Sequence, residues 1–356
     1  MPEKKPTIRD IAARAGVSPA SVSMILNEKN LSRFSAETVQ LVQQIAADCG
    51  YRTKHPRRTE GAVMIICPSV MNPYYATLIQ SMEQEAIEQG CSTAIRTTYW
   101  DIEIEKKLLD FSLQSPTVSG VIFAMIPQRP ELARQAGQQI PMVAVGDHYQ
   151  DLGIDTVDIN NFHAGEMIGK HLIELGHRNV AYISTALNAE HSARVRRCDG
   201  VKSIYQALCP QGRVKVYSAD ISSYAELNTT GIEHDVGYQL AQQCAAASPE
   251  VTAMVAINDM VAYGVIDGLH DLGIRVPEDV SVCGFDNIFP SQFSGIQLTT
   301  VEHSIQERGR SAFRLMAERL LAPSSPARRG PITRMEYESQ LIVRKTTAPV
   351  RAFLHD

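Results

Sequence analysis

Four stretches of this sequence close an apolar run with groups able to hold a polar small molecule. They are Pro68–Tyr75 (PSVMNPYY), Gly146–Asp147, Ile257–Asp259 (IND) and Gly284–Asn287 (GFDN). Carboxylates such as Asp147 and Asp286 can accept hydrogen bonds from hydroxyls. Facing each other across a cleft, they could also serve as the carboxylate pair of a glycosidase. Other chemistries lack their motifs: there is no GxxxxGK[ST], no GxGxxG after a strand, no GxSxG and no HExxH. His163, His171 and His177 are spaced by eight and six residues, so no pair shares one helical turn as metal ligands would. This pattern suits binding rather than catalysis, with no metal and no cofactor.

These stretches matter because of the elements around them. Short apolar runs suit buried parallel strands at Val63–Cys67, Thr93–Thr97, Gly120–Met125, Met142–Gly146, Val180–Ser184, Val214–Tyr217, Ala253–Ile257 and Val280–Gly284. Helical stretches lie between most of them: Tyr74–Gln89, Ile102–Gln114, Phe162–Leu175, Val195–Leu208, His234–Ala246 and Met260–Leu272. Strand–helix alternation is the signature of doubly wound α/β domains. Two units of about 100–130 residues fit, divided near Asn160. A late helix, Ile305–Leu321, and a final strand, Tyr337–Val343, flank the loop Ala322–Pro326. Open sheets of this kind bind ligands beyond the carboxyl ends of their strands, where the four polar stretches lie.

The first residues have a different texture. Thr7–Asn27 (TIRDIAARAGVSPASVSMILN) reads as two short helices around a turn. Thr7 and Asp10 form a capping box, and Gly16 supplies a left-handed turn residue. Ser18 caps a second helix with Pro19 at its first position. A third helix begins at Ser35, with Val39, Val42, Ile45 and Ala46 on its inner face. Such a unit can hold its second helix out toward a DNA major groove. Residues 1–58 carry ten lysines and arginines against five acids. With the whole chain at −5, a head of +5 sits on a body of −10, which fits a head that meets a polyanion. Arg52–Ala62 (RTKHPRRTEGA) reads as a basic linker whose cations can follow phosphates. Seven scattered cysteines without a CxxC pair suit a reducing cytoplasm. No apolar run is long enough to span a membrane, and the start carries no signal-peptide core.

The chain resembles the lactose/galactose repressor family (LacI type) over nearly its whole length. The residues that carry the likeness are the head TIRDIAARAGVSPASVSMILN, LIELGHRNVAYI (Leu172–Ile183), Ile140–Pro141 before a strand, VPEDVSVCGFDN (Val276–Asn287) and LTTV (Leu298–Val301). The resemblance implies a small all-α helix-turn-helix head on an α/β body like a periplasmic binding protein, made of two doubly wound parallel-sheet subdomains. On that plan residues 1–51 are the head, 52–62 a hinge, and 63–345 the effector-binding and dimerisation domain. The first subdomain takes about 63–160 plus 292–322, and the second about 161–291 plus 323–345. Residues 346–356 are a tail without leucine heptads.

The same resemblance assigns roles one residue at a time. Pro19, Ala20, Ser21 and Met24 occupy the base-reading edge of the second helix. Many members have arginine where Met24 stands, so this edge offers little guanine readout. Thr7, Ser18, Ser23 and Asn27 would position on phosphates or cap helices. The hinge departs from the family: it is about five residues short and lacks the leucine used as a minor-groove wedge. Arg57 and Arg58 could enter a narrow minor groove instead, but a flexible tether is the simpler reading of this segment. In the cleft, Tyr74 and Tyr75 match an aromatic pair, Arg197 an effector-binding arginine, and Asn258 and Asp286 polar ligand contacts. Asp147 stands one residue past the usual aspartate, which is Gly146 here. Trp100, with Phe123 or Met125, would line the same cleft.

The expectation is a cytoplasmic, homodimeric transcriptional repressor on double-stranded operator DNA. Its affinity would be set by a small effector between the two subdomains, and Asn258 with Asp286 favours a sugar over a purine. The competing reading is a sugar-binding or glycoside-processing protein whose helical head serves another partner.

Overall fold

The computed structural model describes residues 7–26, 33–49, 61–147, 151–187, 192–321 and 331–350. Asn27, Arg57 and Arg58, most of the linker Arg52–Ala62 and the loop Ala322–Pro326 lie outside them. The chain forms two compact units, Met1–Arg58 and Thr59–Asp356.

The first unit holds α1 (Ile8–Ala15), α2 (Pro19–Leu26) and α3 (Ala36–Asp48). Thr7 closes the capping box on α1: the Asp10 amide donates to Thr7 Oγ1, and Asp10 Oδ2 accepts from the Thr7 amide at 2.8 Å. Gly16 ends α1 at φ 67°, a left-handed conformation that a Cβ would strain. Ser18 Oγ accepts from the Ser21 amide at 3.0 Å at the start of α2. Ser35 Oγ does the same for Thr38 at the start of α3. Ile11, Ala12, Val22, Ile25, Val42 and Ala46 form the buried centre of this small unit.

In the second unit the chain alternates as the apolar runs require. Its first half is β1 (Ala62–Cys67), α4 (Pro73–Glu88), β2 (Ser92–Thr97), α5 (Ile102–Gln114), β3 (Val118–Phe123), α6 (Pro130–Gly137), β4 (Met142–Gly146) and β5 (Asp155–Ile159). Next come α7 (Asn161–Glu174), β6 (Asn179–Thr185), α8 (Ser192–Leu208), β7 (Arg213–Ala219), α9 (Ser223–Asn228), α10 (Ile232–Ala247), β8 (Ala253–Ala256), α11 (Asp259–Asp271) and β9 (Ser281–Asp286). The unit closes with β10 (Thr299–Glu302), α12 (Ile305–Leu321), β11 (Arg334–Tyr337) and β12 (Gln340–Ile342). Two six-stranded sheets result, in the orders β11-β5-β4-β3-β1-β2 and β12-β10-β9-β8-β6-β7. The first is parallel throughout; in the second only β12 runs antiparallel, against β10.

The chain therefore crosses between the sheets three times, after β5, after β10 and after β11. This corrects two expectations. β10 belongs to the second sheet, whereas the resemblance places residues 292–322 in the first subdomain. β11 belongs to the first, whereas the resemblance places 323–345 in the second. The expected last strand Tyr337–Val343 is two strands, one per sheet, separated by the third crossing. Nor are residues 346–350 a free tail. Val282 donates to the Thr346 carbonyl at 2.7 Å, and Val350 donates to the Leu175 carbonyl at 2.9 Å. Thr346 thus satisfies the Val282 amide on the side of β9 that β10 pairs only from Cys283 onward, and Val350 satisfies a carbonyl at the end of α7.

Helix pairs in the second sheet's layers meet at glycines. A Cβ on Gly200 in α8 would lie 2.0 Å from the Phe162 carbonyl oxygen, and one on Gly165 in α7 would lie 2.1 Å from the Arg197 carbonyl oxygen. Backbone cannot yield as a flexible side chain can. We expect Gly200→Ala to lower stability by about 1–3 kcal/mol in urea unfolding; a neutral result would contradict this packing.

Candidate functional site

In the first unit, Thr7, Ser18, Pro19 and Ala20 are exposed, and Ser21, Ser23 and Met24 are half-buried along α2. The apolar face of α2, Val22 and Ile25, is fully buried, so the opposite edge is the one offered outward. Ser18 and Ser21 share a hydroxyl contact at 2.9 Å, which ties both to helix capping. No cationic side chain stands on α2 itself.

In the second unit the carboxyl ends of both sheets open onto one cleft of about 110 Å³. Tyr74, Tyr75, Asp147, Arg197, Asn258 and Asp286 all line it. Trp100 and Met125 line it too, whereas Phe123 is wholly buried in the first sheet's core.

Asn72, Pro73 and the start of α4 bring in the tyrosines. Asn72 Oδ1 accepts from the Tyr74 amide at 2.9 Å, and proline suits the first helical position. Tyr74 and Tyr75 meet edge to face at 5.0 Å, and Tyr75 meets Trp100 in the same manner at 6.5 Å. Trp100 holds φ 58° and Asp286 holds φ 105°. For non-glycine residues these are sparsely populated conformations, and they cluster at sites that need a side chain aimed in one direction.

Arg197 is the hub of the floor. Its Nε donates to Asn161 Oδ1 at 2.8 Å, and its Nη1 donates to the Ile257 carbonyl at 2.8 Å. Its Nη2 donates to Asp286 Oδ1 at 3.1 Å and to His303 Nε2 at 3.2 Å. Since Arg197 can only donate, His303 Nε2 accepts, and Nδ1 carries the proton toward Ser339 Oγ at 3.1 Å. Burial, with Arg197 and Arg308 nearby, holds the His303 pKa well below its usual range, so the ring is neutral. Asn161 follows the first crossing between sheets, His303 lies on the second, and Ser339 on the third. One guanidinium thus touches the cleft floor and, directly or through His303, all three crossings.

Asp286 is buried, and desolvation lifts its carboxyl to about 6 against the pull of Arg197. A carboxyl raised from 3.8 holds its proton longer when folded, so its share of stability falls as pH rises between about 4 and 6. Asp286→Asn should therefore gain on the wild type across that window in chemical unfolding; two parallel pH curves would contradict the assignment.

Glu233 in α10 was not legible as a site residue. Its Oε2 accepts from Asn72 Nδ2 at 2.6 Å, and its Oε1 accepts from Asn258 Nδ2 at 2.9 Å. Asn258 in turn caps α11, accepting from the Val261 amide at 2.9 Å. Both ends of Asn258 are thus engaged with the protein, and four of the five Arg197 donors are as well. The Asn72–Glu233 bond spans the cleft, as does Arg194 in α8, stacked over Trp100 at 5.3 Å. Arg196 reaches Asp147 at 3.9 Å from the opposite wall. Among the described residues no cluster of three or more His, Cys, Asp or Glu could hold a metal ion, and no helix is long and apolar enough to cross a membrane.

Residues 7–54 match the family described as bacterial regulatory proteins, lacI family, and residues 170–347 match the periplasmic binding protein-like domain. The chain is 29% identical to the HTH-type transcriptional regulator DegA of Bacillus subtilis, covering 97% of this chain and 99% of that one. It is likewise 29% identical to the HTH-type transcriptional repressor PurR of Pectobacterium carotovorum, over 90% and 92% of the two chains. Among solved structures, a LacI family transcriptional regulator from Lactobacillus casei with bound sucrose superposes with a TM-score of 0.67 at 25% identity, covering 80% of this chain and 99% of that one.

Proposed function

Because this chain belongs to the lacI family of bacterial regulatory proteins, we propose that it is a repressor whose grip on operator DNA is set by a small ligand in the cleft. The observation that carries this reading is the meeting of Tyr74, Tyr75, Asp147, Arg197, Asn258 and Asp286 at the strand ends of two sheets. The tyrosines give a ring its apolar face, and Asp147 and Asp286 accept from its hydroxyls. Arg197 and Asn258 act one step back, the first by fixing Asp286 and the second by fixing Glu233. The sucrose-bound relative supports a sugar as the ligand type.

Two copies of the chain hold two heads on a pseudo-palindromic site in the cytoplasm. Residues 1–51 are the head, with Pro19, Ala20, Ser21 and Met24 toward base edges. Thr7, Ser18, Ser23 and Asn27 position on phosphates, and 52–62 join head to body with Arg57 and Arg58 near the minor groove. A ligand that favours one arrangement of the two sheets shifts the separation of the heads.

Two measurements test the proposal. Selection from random duplex DNA should return a two-fold symmetric sequence, bound with an affinity that falls linearly in log salt as phosphate contacts demand. A thermal-shift screen should find a sugar that stabilises the chain by about 2.7 kcal/mol at 100 times its dissociation constant. A salt-independent complex, or no selected sequence, would sink the DNA half.

A further inference from the structure

Arg308 stands near the start of α12, beside Gly309, where that helix presses on α4. A Cβ on Gly309 would lie 1.9 Å from Ser81 Oγ. This close approach places Arg308 wholly beneath the surface at 0% exposure, the largest fully buried side chain among the described residues. It lines the cleft. Its Nη1 donates to the Tyr74 hydroxyl at 3.1 Å, while Nε and Nη2 are buried without a hydrogen-bond acceptor.

Charge pairing in the cleft isolates this group. Asp147 faces Arg196 at 3.9 Å, Glu233 faces Arg194 at 3.8 Å, and Asp286 faces Arg197 at 3.1 Å. Each carboxylate that lines the cleft thus has its own arginine, and among the described residues Arg308 has no ion-pair partner. A buried guanidinium whose counter-charge is out of hydrogen-bond reach is costly to keep. The two open donors are also not random. Nε and Nη2 form one edge of the planar fork, the edge that suits two oxygens of one acidic group. The same chain uses that edge twice in this way. Arg319 grips Asp155 through Nε at 2.5 Å and Nη2 at 2.7 Å, and Arg275 grips Asp279 at 2.7 and 2.6 Å.

We propose that the cleft's ligand is an acidic sugar, a sugar carboxylate or sugar phosphate, whose acid group takes the Nε–Nη2 edge of Arg308. The inference rests on the ligand-cleft reading above and narrows it from sugars in general to anionic ones. Tyr74, held by Arg308 Nη1, places the sugar ring beside the acid group, and Asp286 takes hydroxyls from the far side.

The test uses the full chain and six probes in thermal shift and calorimetry. D-glucuronate, D-gluconate and glucose 6-phosphate are set against glucose, ribose and sucrose. The expected result is a stabilising acidic probe whose neutral counterpart does nothing at equal concentration; uronate against phosphate then identifies the acid group. Arg308→Leu should weaken that probe about 10- to 100-fold, the scale of a charged hydrogen-bonded contact. Should Arg308→Leu fail to fold, Arg308→Lys, which keeps the charge but lacks the fork, carries the same expectation. An acidic probe bound equally well by both variants overturns the assignment. A neutral sugar bound equally by wild type and variant overturns it too, while leaving the ligand-cleft reading intact. No shift with any of the six overturns both.

Discussion

Arg197→Met should lower the stability of the second unit by about 3–5 kcal/mol, the scale for breaking one partner of a buried charged pair, and should abolish any ligand response. The substitution removes donors from Asn161, the Ile257 carbonyl, Asp286 and His303 together. Asp286 would be left buried with its facing charge gone. The three crossings would lose the one group that joins them through Asn161, His303 and Ser339. Because Met keeps much of the side chain's volume, the loss reports the hydrogen bonds rather than a cavity. Urea unfolding read with operator binding, with and without ligand, checks both effects. A loss below about 1 kcal/mol with an intact response would show that the hub is ornamental.

Asp259→Ala is the second large effect, expected at about 3–5 kcal/mol because three donors lose their acceptor at once. Asp259 is fully buried at the start of α11. It accepts from the Ile288 amide at 3.0 Å, Ser291 Oγ at 2.5 Å and Thr300 Oγ1 at 2.6 Å. Burial, with the charge on Asp286 adding to it, lifts this carboxyl to about 8 against those donors. The pocket is tight as well: a Cβ on Gly284 would lie 2.6 Å from Asp259 Oδ1. Through Ile288 and Thr300 the residue holds the turn that carries Asp286 at its strained φ. The variant should therefore lose ligand affinity as well as stability. Calorimetric titration of the folded fraction separates the two, and unchanged affinity would show that Asp286 keeps its aim without this support.

Much of the fold was written locally. β1, β3 and β4 are near-continuous apolar runs, and α5 and α12 fall at the limits that their periodicity and caps set. β5, DTVDI, was invisible because its polar residues are satisfied from afar: Arg319, 164 residues on, clamps Asp155. Nothing local tells β10 or β11 which sheet to join, since either sheet offers an edge of the same chemistry. The site divides in the same way. Strand ends announced Tyr74, Tyr75, Asp147, Asn258 and Asp286. Glu233 and Arg308 sit inside helices among charged neighbours, as solvated residues do. The packing of α12 on α4 carries Arg308 under the surface, and Glu233 takes its partners from both walls, Asn72 on the facing one and Asn258 and Arg194 on its own. Arg197 stood at the expected place, yet its fork turns inward to the crossings.

The central claim is that occupancy of the cleft sets operator affinity. Fluorescence anisotropy of the selected operator with the full chain, with and without saturating ligand from the thermal-shift screen, tests it most directly. Ligand should change operator affinity about 5- to 150-fold, matched by an equal change in ligand affinity when DNA is bound. Operator binding that stays the same within about twofold at saturating ligand would contradict it.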